Sequence, residues 1–416
     1  MRSSVVIWAG LWLPQVLLAA PPATQRAEPH FAGEPLKIQG FGTVGGAYNT
    51  DGGAEYIRDR SQPNGTRGDG FGWAVDTRLG IQATWRPSES VAGILQLVTK
   101  QRYDGTWRPQ VSWAFLKHAF DPDTELRVGR LGYDVYPMSD SRDVGYSYLW
   151  VRPPVDYFGQ VHYSHIDGLD LTSVHLLGDG VVRGKLFAGQ LNESGATPQG
   201  GEYDMRGSTL WGGYVEYQDP HWQIRGGGGV MRLEHAYPLY RSVQEALEKT
   251  GVAVALALAD ELCVRDKEMR FFAAGVAYDN GPLQSQFQLR YLDSETPAYA
   301  GNIAGYWSVG YRFGRWTPYI VYSRIESEHP DPDTGFPDTP EWAPLDAAVD
   351  QVLEATQADQ DTLSLGARFD FVRNAALKLQ IDWTESRDNP SLLWLDADPS
   401  WDGSAVVLSA SVDFIF

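Results

Sequence analysis

Residues 404–416 read SAVVLSASVDFIF, and their alternation constrains the chain more than any other stretch. Val406, Leu408, Ala410, Val412, Phe414 and Phe416 share one parity and are all apolar, whereas Ser409, Ser411 and Asp413 share the other. A period of two places the first set on one face of a β-strand. Such a strand can be half-buried in a soluble sandwich, or it can stand between lipid and water. The pattern recurs upstream, and there the polar face carries arginine. Residues 71–86 set Phe71, Trp73, Val75, Leu79, Ile81, Ala83 and Trp85 against Asp76, Arg78, Gln82, Thr84 and Arg86. Residues 283–291 set Leu283, Phe287, Leu289 and Tyr291 against Gln284, Gln286, Gln288 and Arg290. Residues 363–371 and 377–384 repeat this, with Arg368, Asp370, Lys378 and Asp382 on the polar side.

This periodicity predicts sixteen strands, at 36–48, 71–86, 90–102, 110–120, 124–133, 169–177, 181–191, 208–218, 221–234, 268–279, 283–293, 302–313, 316–326, 361–372, 376–385 and 404–416. The connections alternate in length. Those after even strands are tight and rich in turn residues, such as DPD at 121–123, GDG at 178–180 and NGP at 280–282. Those after odd strands are mostly long, as at 49–70, 134–168, 192–207, 235–267, 327–360 and 386–403. A count of eighteen follows if 134–168 or 235–267 contains a hairpin.

The beginning of the chain reads as an export signal. Met1 and Arg2 precede an apolar run from Val5 to Leu18, and the small residues Ala19 and Ala20 follow. The run is too short to span a bilayer as a helix. Residues 1–20 are therefore set apart as a signal peptide, with cleavage after Ala20 or at Ala23, and 21–35 as a lead-in; a buried N-terminal helix is the alternative. One cysteine, Cys263, in 416 residues leaves no intramolecular disulfide, and a net charge of −19 argues against nucleic acid as a partner.

The apolar strand ending on Phe416, the alternating loop lengths and the abundant aromatics (15 Trp, 21 Tyr) resemble the Gram-negative outer-membrane porins. The resemblance implies an all-β fold: a transmembrane antiparallel up-and-down barrel over 36–416, with short periplasmic turns and long extracellular loops. It implies a bacterial outer-membrane location and a homotrimer. Outer-membrane lipid, lipopolysaccharide and the barrel-assembly machinery are the implied partners, with Phe414 and Phe416 as the assembly signature. It also implies that the third of the connections after odd strands, the loop 134–168 (the third loop), folds into the barrel and narrows the pore; the alternative is an external surface loop. That loop carries Asp140, Arg142, Asp143, Arg152 and Asp156 among interleaved tyrosines.

The inward parity of the strands is strongly basic, at Arg78, Arg127, Arg183, Arg225, Arg270, Arg290, Arg312 and Arg368, against few acids such as Asp76. Arginines facing lipid would cost about 2–4 kcal/mol each near the bilayer midplane, so that side must meet water. A water-filled channel for small hydrophilic solutes or ions follows, either general or selective for anions or sugars. Wall arginines facing the loop carboxylates would set a transverse field, with Arg78 the leading candidate.

Other patterns have plainer readings. Gly40, Gly42 and Gly45 spell GxGxxG but are followed by a strand and a polar loop, where a dinucleotide site needs a helix. Ser164 with His162, His165 and Asp167 suggests a hydrolase cluster or simply a polar loop. Asp331, Asp333, Asp338 and Glu341 suggest a calcium site or a solvated acidic loop. Residues 241–262 and 345–357 read as helical patches that pack on neighbouring loops or cover the barrel mouth. The expectation is a channel and not an enzyme, with no cofactor and no metal. An outer-membrane barrel enzyme is the competing class.

Overall fold

The computed structural model describes residues 35–160, 163–196, 202–236, 238–330, 334–337, 339–387 and 392–416. The expected signal, its cleavage point, His162, Asp331, Asp333 and Asp338 lie outside the described residues.

Sixteen antiparallel strands close into a barrel. They are β1 (Leu36–Asn49), β2 (Arg78–Trp85), β3 (Val91–Lys100), β4 (Gln110–Ala119), β5 (Thr124–Gly132), β6 (His165–Leu177), β7 (Gly180–Gln190) and β8 (Thr209–Gln218). The second half is β9 (Trp222–Arg232), β10 (Glu268–Asp279), β11 (Leu283–Ser294), β12 (Asn302–Tyr311), β13 (Trp316–Ser327), β14 (Asp359–Val372), β15 (Ala375–Arg387) and β16 (Ser404–Ile415). Each strand pairs with its sequence neighbours, and β1 pairs with both β2 and β16. Closure satisfies the backbone and leaves no sheet edge, as a wall standing in hydrocarbon requires.

The outer parity is apolar and exposed, at Leu79, Ile81, Trp211, Val215, Phe272, Phe287, Trp307, Ile320 and Leu365 among others. This band is a surface for lipid. Aromatic pairs mark its turn-side rim: Trp316 stacks on Phe369 at 4.4 Å, Trp222 meets Tyr278 at 4.6 Å, and Tyr311 meets Phe313 at 4.6 Å. Such rings suit the bilayer interface, where one end of the side chain is wet.

The predicted second strand is corrected. It begins at Arg78, because a 3₁₀ turn at Trp73–Val75 interrupts the alternation expected from residue 71. Phe71 and Trp73 stay exposed and pack edge to face at 4.7 Å, while Val75 and Asp76 turn inward and are buried. Asp76 thus reaches the lumen from a turn and not from a strand.

The glycines of β1 have a packing role. Gly40 and Gly42 lie under the rings of Phe416 and Phe414, where any Cβ would overlap the ring. Backbone bonds of 2.8 and 2.9 Å join Gly40 and Phe416. The GxGxxG spacing therefore serves the seam between the first and last strands.

Besides a single helical turn at Val155–Phe158, three longer helices lie in the loops among the described residues: α1 (Pro238–Thr250), α2 (Ala253–Glu261) and α3 (Ala343–Glu354). Leu247, Ala255, Leu258, Val349 and Val352 are buried in one apolar cluster with Tyr136, Trp150 and Tyr157 of the third loop. The helical patches therefore pack over the loop-side mouth.

Candidate functional site

The segment after β5 enters the barrel and is buried there. Asp134 accepts bonds from Lys185 on β7 at 2.6 Å and Arg225 on β9 at 2.8 Å. Asp143 takes Lys100 on β3 at 2.9 Å. Trp150 donates to Ser308 on β12 at 2.8 Å, and the Val151 amide donates to Gln380 on β15 at 3.1 Å. Arg152 binds Asp76 in bidentate fashion at 2.9 and 2.6 Å, and reaches Asp382 on β15 at 3.4 Å and Ser409 on β16 at 2.8 Å. The Asp134 anchor and the Arg152 anchor stand about half a turn of strands apart, so the segment crosses the lumen.

Burial governs its carboxylates. Desolvation alone would raise Asp143, yet Lys100, Arg142 and Arg78 outweigh it and hold the group well below the usual range. Asp134 behaves likewise between Arg225 and Lys185. Asp156 is pushed up to about 6 by burial, against hydrogen bonds from Ser323, Gln360 and Thr362. Asp140 is also raised to about 6, by burial and by the nearby charge of Asp134.

Beneath the segment, on the turn side, lies a cavity of about 700 Å³. Its ceiling is formed by Pro137, Met138 and Tyr146–Trp150, and its walls by β9 to β14.

No protein-family model matches the chain, and no curated protein matches it. Solved structures do. OmpF of Salmonella typhi aligns at a TM-score of 0.54 and 12% identity, covering 92% of this chain and 97% of that one. The outer-membrane channel DcaP of Acinetobacter baumannii gives 0.54 and 11% with the same coverage. The anion-selective porin of Comamonas acidovorans gives 0.50 and 12%, covering 92% and 99%. The barrel has the porin fold.

Within that porin fold, the expected site residues divide. Arg78 meets the third loop through the Asp143 carbonyl at 2.7 Å and the Tyr148 hydroxyl, while Lys100 takes the Asp143 carboxylate. Arg368 donates to the Tyr146 and Tyr148 carbonyls at 2.8 and 3.1 Å. Arg290 donates to the Tyr157 carbonyl at 3.0 Å, and Arg142 to the Tyr163 carbonyl at 2.6 Å. Arg127 and Arg183 pair along the wall with Asp170 at 2.8 Å and Glu216 at 3.1 Å. Arg312 sits at the turn-side mouth, bonded to the Gly281 carbonyl at 2.6 Å.

Two expectations are corrected. Arg270 does not face the lumen: it shares the outer parity of Phe272, is 40% exposed, and binds Glu268, Asp293 and Glu295 at the loop-side rim. Asp156 does not oppose a wall arginine; its partners are the neutral side chains of β13 and β14. The arrangement is therefore mixed: wall Lys100, Lys185 and Arg225 meet loop Asp143 and Asp134, whereas Arg152 on the loop answers Asp76 and Asp382 on the wall with the polarity reversed.

Sequence reasoning missed Asp134, Asp170 and Asp413. Asp413 is fully buried, 3.1 Å from Lys378 and 2.5 Å from the Thr43 hydroxyl. Its inward parity in SAVVLSASVDFIF was the available signal. Asp170, the register partner of Arg127, alternates with Leu169 and Leu171 in the same way.

The Ser164 cluster takes a definite shape. Ser164 donates to Glu193 at 2.6 Å, and His165 Nδ1 lies 2.9 Å from the same carboxylate and 3.2 Å from the Ser164 hydroxyl. Serine and acid thus share one ring nitrogen, while Nε2 is buried without a hydrogen-bond partner among the described residues. A nucleophile–base–acid relay uses the two nitrogens for different partners, so this arrangement ties loop ends together. Burial would raise Glu193, but His165 and Ser164 bring it down to about 2.

Proposed function

We propose that the chain is a water-filled channel of the bacterial outer membrane, passing small hydrophilic solutes, with residues 133–164 as its constriction. The observation that carries this reading is a charged interior inside an apolar exterior. Buried Arg78, Arg225, Arg290, Arg368 and Lys378 face the lumen of a barrel whose outer face is Leu, Ile, Trp and Phe. Such cations are tolerable only where water or paired charge replaces lipid. A catalytic role is not part of the reading, since the Ser164–His165–Glu193 contacts lack relay geometry. Assembly as a homotrimer in lipopolysaccharide-containing membrane, inserted by the barrel-assembly machinery, completes it by analogy with the porins.

Planar-bilayer recording tests it. The folded protein should give discrete conductance steps, and removal of residues 140–156 should enlarge them. Folded, inserted protein that conducts neither with the segment nor without it would overturn the channel.

A further inference from the structure

A charge pair stands on the outer face of the barrel, inside the apolar band. Arg130 on β5 and Asp167 on β6 are ladder partners, on the same parity as the outward, exposed Val128 and Leu169. They bind each other at 2.7 and 2.8 Å, with side chains 22% and 37% exposed. Register gives their height. The ladder row that starts at Thr124, at the turn end of β5, reaches Arg324, at the loop end of β13. In a barrel tilted about 40° a row climbs about 3 Å per strand, so its ends differ by about 25 Å, the height of a lipid-facing band. Arg130 is further along β5 than Thr124 by about 15 Å of that height, which leaves it about 10 Å below the loop-side rim.

The apolar band is cut short on these two strands. Between Thr124 and Arg130 the outward residues of β5 are Leu126 and Val128, and between Asp167 and Ser173 those of β6 are Leu169 and Leu171. On β15, by contrast, Leu377, Leu379, Ile381 and Trp383 precede Glu385. Charged groups at the depth of Arg130 and Asp167 are costly against hydrocarbon, whereas polar side chains and small residues at such depth join one membrane span to another. The flanks of the pair differ in relief. Leu116 on β4, the ladder partner of Val128, protrudes and is 59% exposed. Gly184 on β7, the partner of Ser173, faces outward with no atom within 4 Å of the place its Cβ would take. The climb of the rows brings Leu116 and Gly184 to nearly the same height.

We propose that the β4–β7 face is covered by a second copy of this chain and is the contact through which the copies close into a ring. The two flanks are unlike and complementary, as a contact that closes by rotation requires. Leu116 of one copy seats in the hollow over Gly184 of the next. Charge divides the same way: Arg130 lies on the Leu116 side and Asp167 on the Gly184 side, so each cation also meets the neighbouring copy's acid. The pair is thereby removed from lipid and set among protein groups. This rests on the trimeric reading given above and deepens it by naming the face.

The test is the mass, by light scattering, of the full-length protein extracted from membranes in mild detergent. The wild type should have the mass of three copies. Gly184→Leu should fill the hollow and lower the ratio of trimer to monomer about tenfold. The double variant Arg130→Leu with Asp167→Leu should lower it to a similar degree. Ala367→Leu, an outward change on β14, should leave the ratio as it is. Heat-modifiable migration checks that each barrel is folded. A monomeric wild type, an undiminished trimer in either folded β5–β7 variant, or an equal loss in Ala367→Leu overturns the face. A complex holding lipopolysaccharide or another protein in place of further copies overturns it too. Conductance is recorded separately. Monomers that conduct remove the face alone, whereas trimers that respond as expected but do not conduct keep the face and remove the channel.

Discussion

Arg152 holds two carboxylates at once, 1% exposed between Asp76 and Asp382. Arg152→Ala should leave both acids buried without a cation and destabilise the docked loop by about 3–5 kcal/mol. Arg152→Lys should not restore it, because a point charge cannot reproduce the bidentate grip on Asp76. Denaturant midpoints in detergent measure both. Asp156 gives a pH dependence. Its value in the fold, about 6, lies above the unfolded carboxyl's value of about 3.9. Below about pH 3.9 the group is protonated in both states and contributes nothing. As pH rises towards 6, the unfolded chain releases its proton first, so stability falls; above 6 the penalty is constant. Asp140 adds in the same direction, and Asp134 and Asp143 titrate far below this window. The loop should therefore resist limited proteolysis better at pH 5 than at pH 7.5. Asp156→Asn should remove part of that difference and Asp140→Asn more of it; an unchanged difference in the double variant would refute the assignment.

Among the elements, the barrel strands were legible because two solvents impose a strict period of two. Their bounds follow the alternation to within a few residues, and β10 runs over the expected 268–279. Legibility failed where parity continued but the strand did not. Phe71, Trp73 and Val75 keep the alternating pattern, yet a 3₁₀ turn breaks the ladder there. Arg270 failed for the opposite reason. It lies in a strand, but near a rim the outer face meets water and acids, so a charge no longer reveals the lumen. The third loop was legible in its tyrosines and charges but not in its pairing. Nothing local in the sequence says that Asp134 would cross to Lys185 and Arg225 while Asp156 would find only Ser323, Gln360 and Thr362. Those partners depend on a path through the lumen that period-two reasoning does not describe.

For the whole molecule, the seam decides whether the strands become a barrel. Gly40→Val should force the Phe416 ring off its seat, since even a Cβ would come within 2.2 Å of it. Phe416→Ala should vacate the same seat, and both should lower the yield of heat-modifiable, membrane-inserted protein. Wild-type yield from Gly40→Val would show that the seat is dispensable. The third loop has a consequence of another kind. Asp134 and Asp143 neutralise wall cations at Lys185, Arg225 and Lys100, so the lumen carries its own counter-ions, tethered by the backbone. Dissolved salt competes with tethered ions. Concentrated electrolyte should therefore screen the contacts that pin the loop as well as supply more carriers, and conductance should climb faster than salt concentration. A rigid, open pipe of the same bore would show no such curvature.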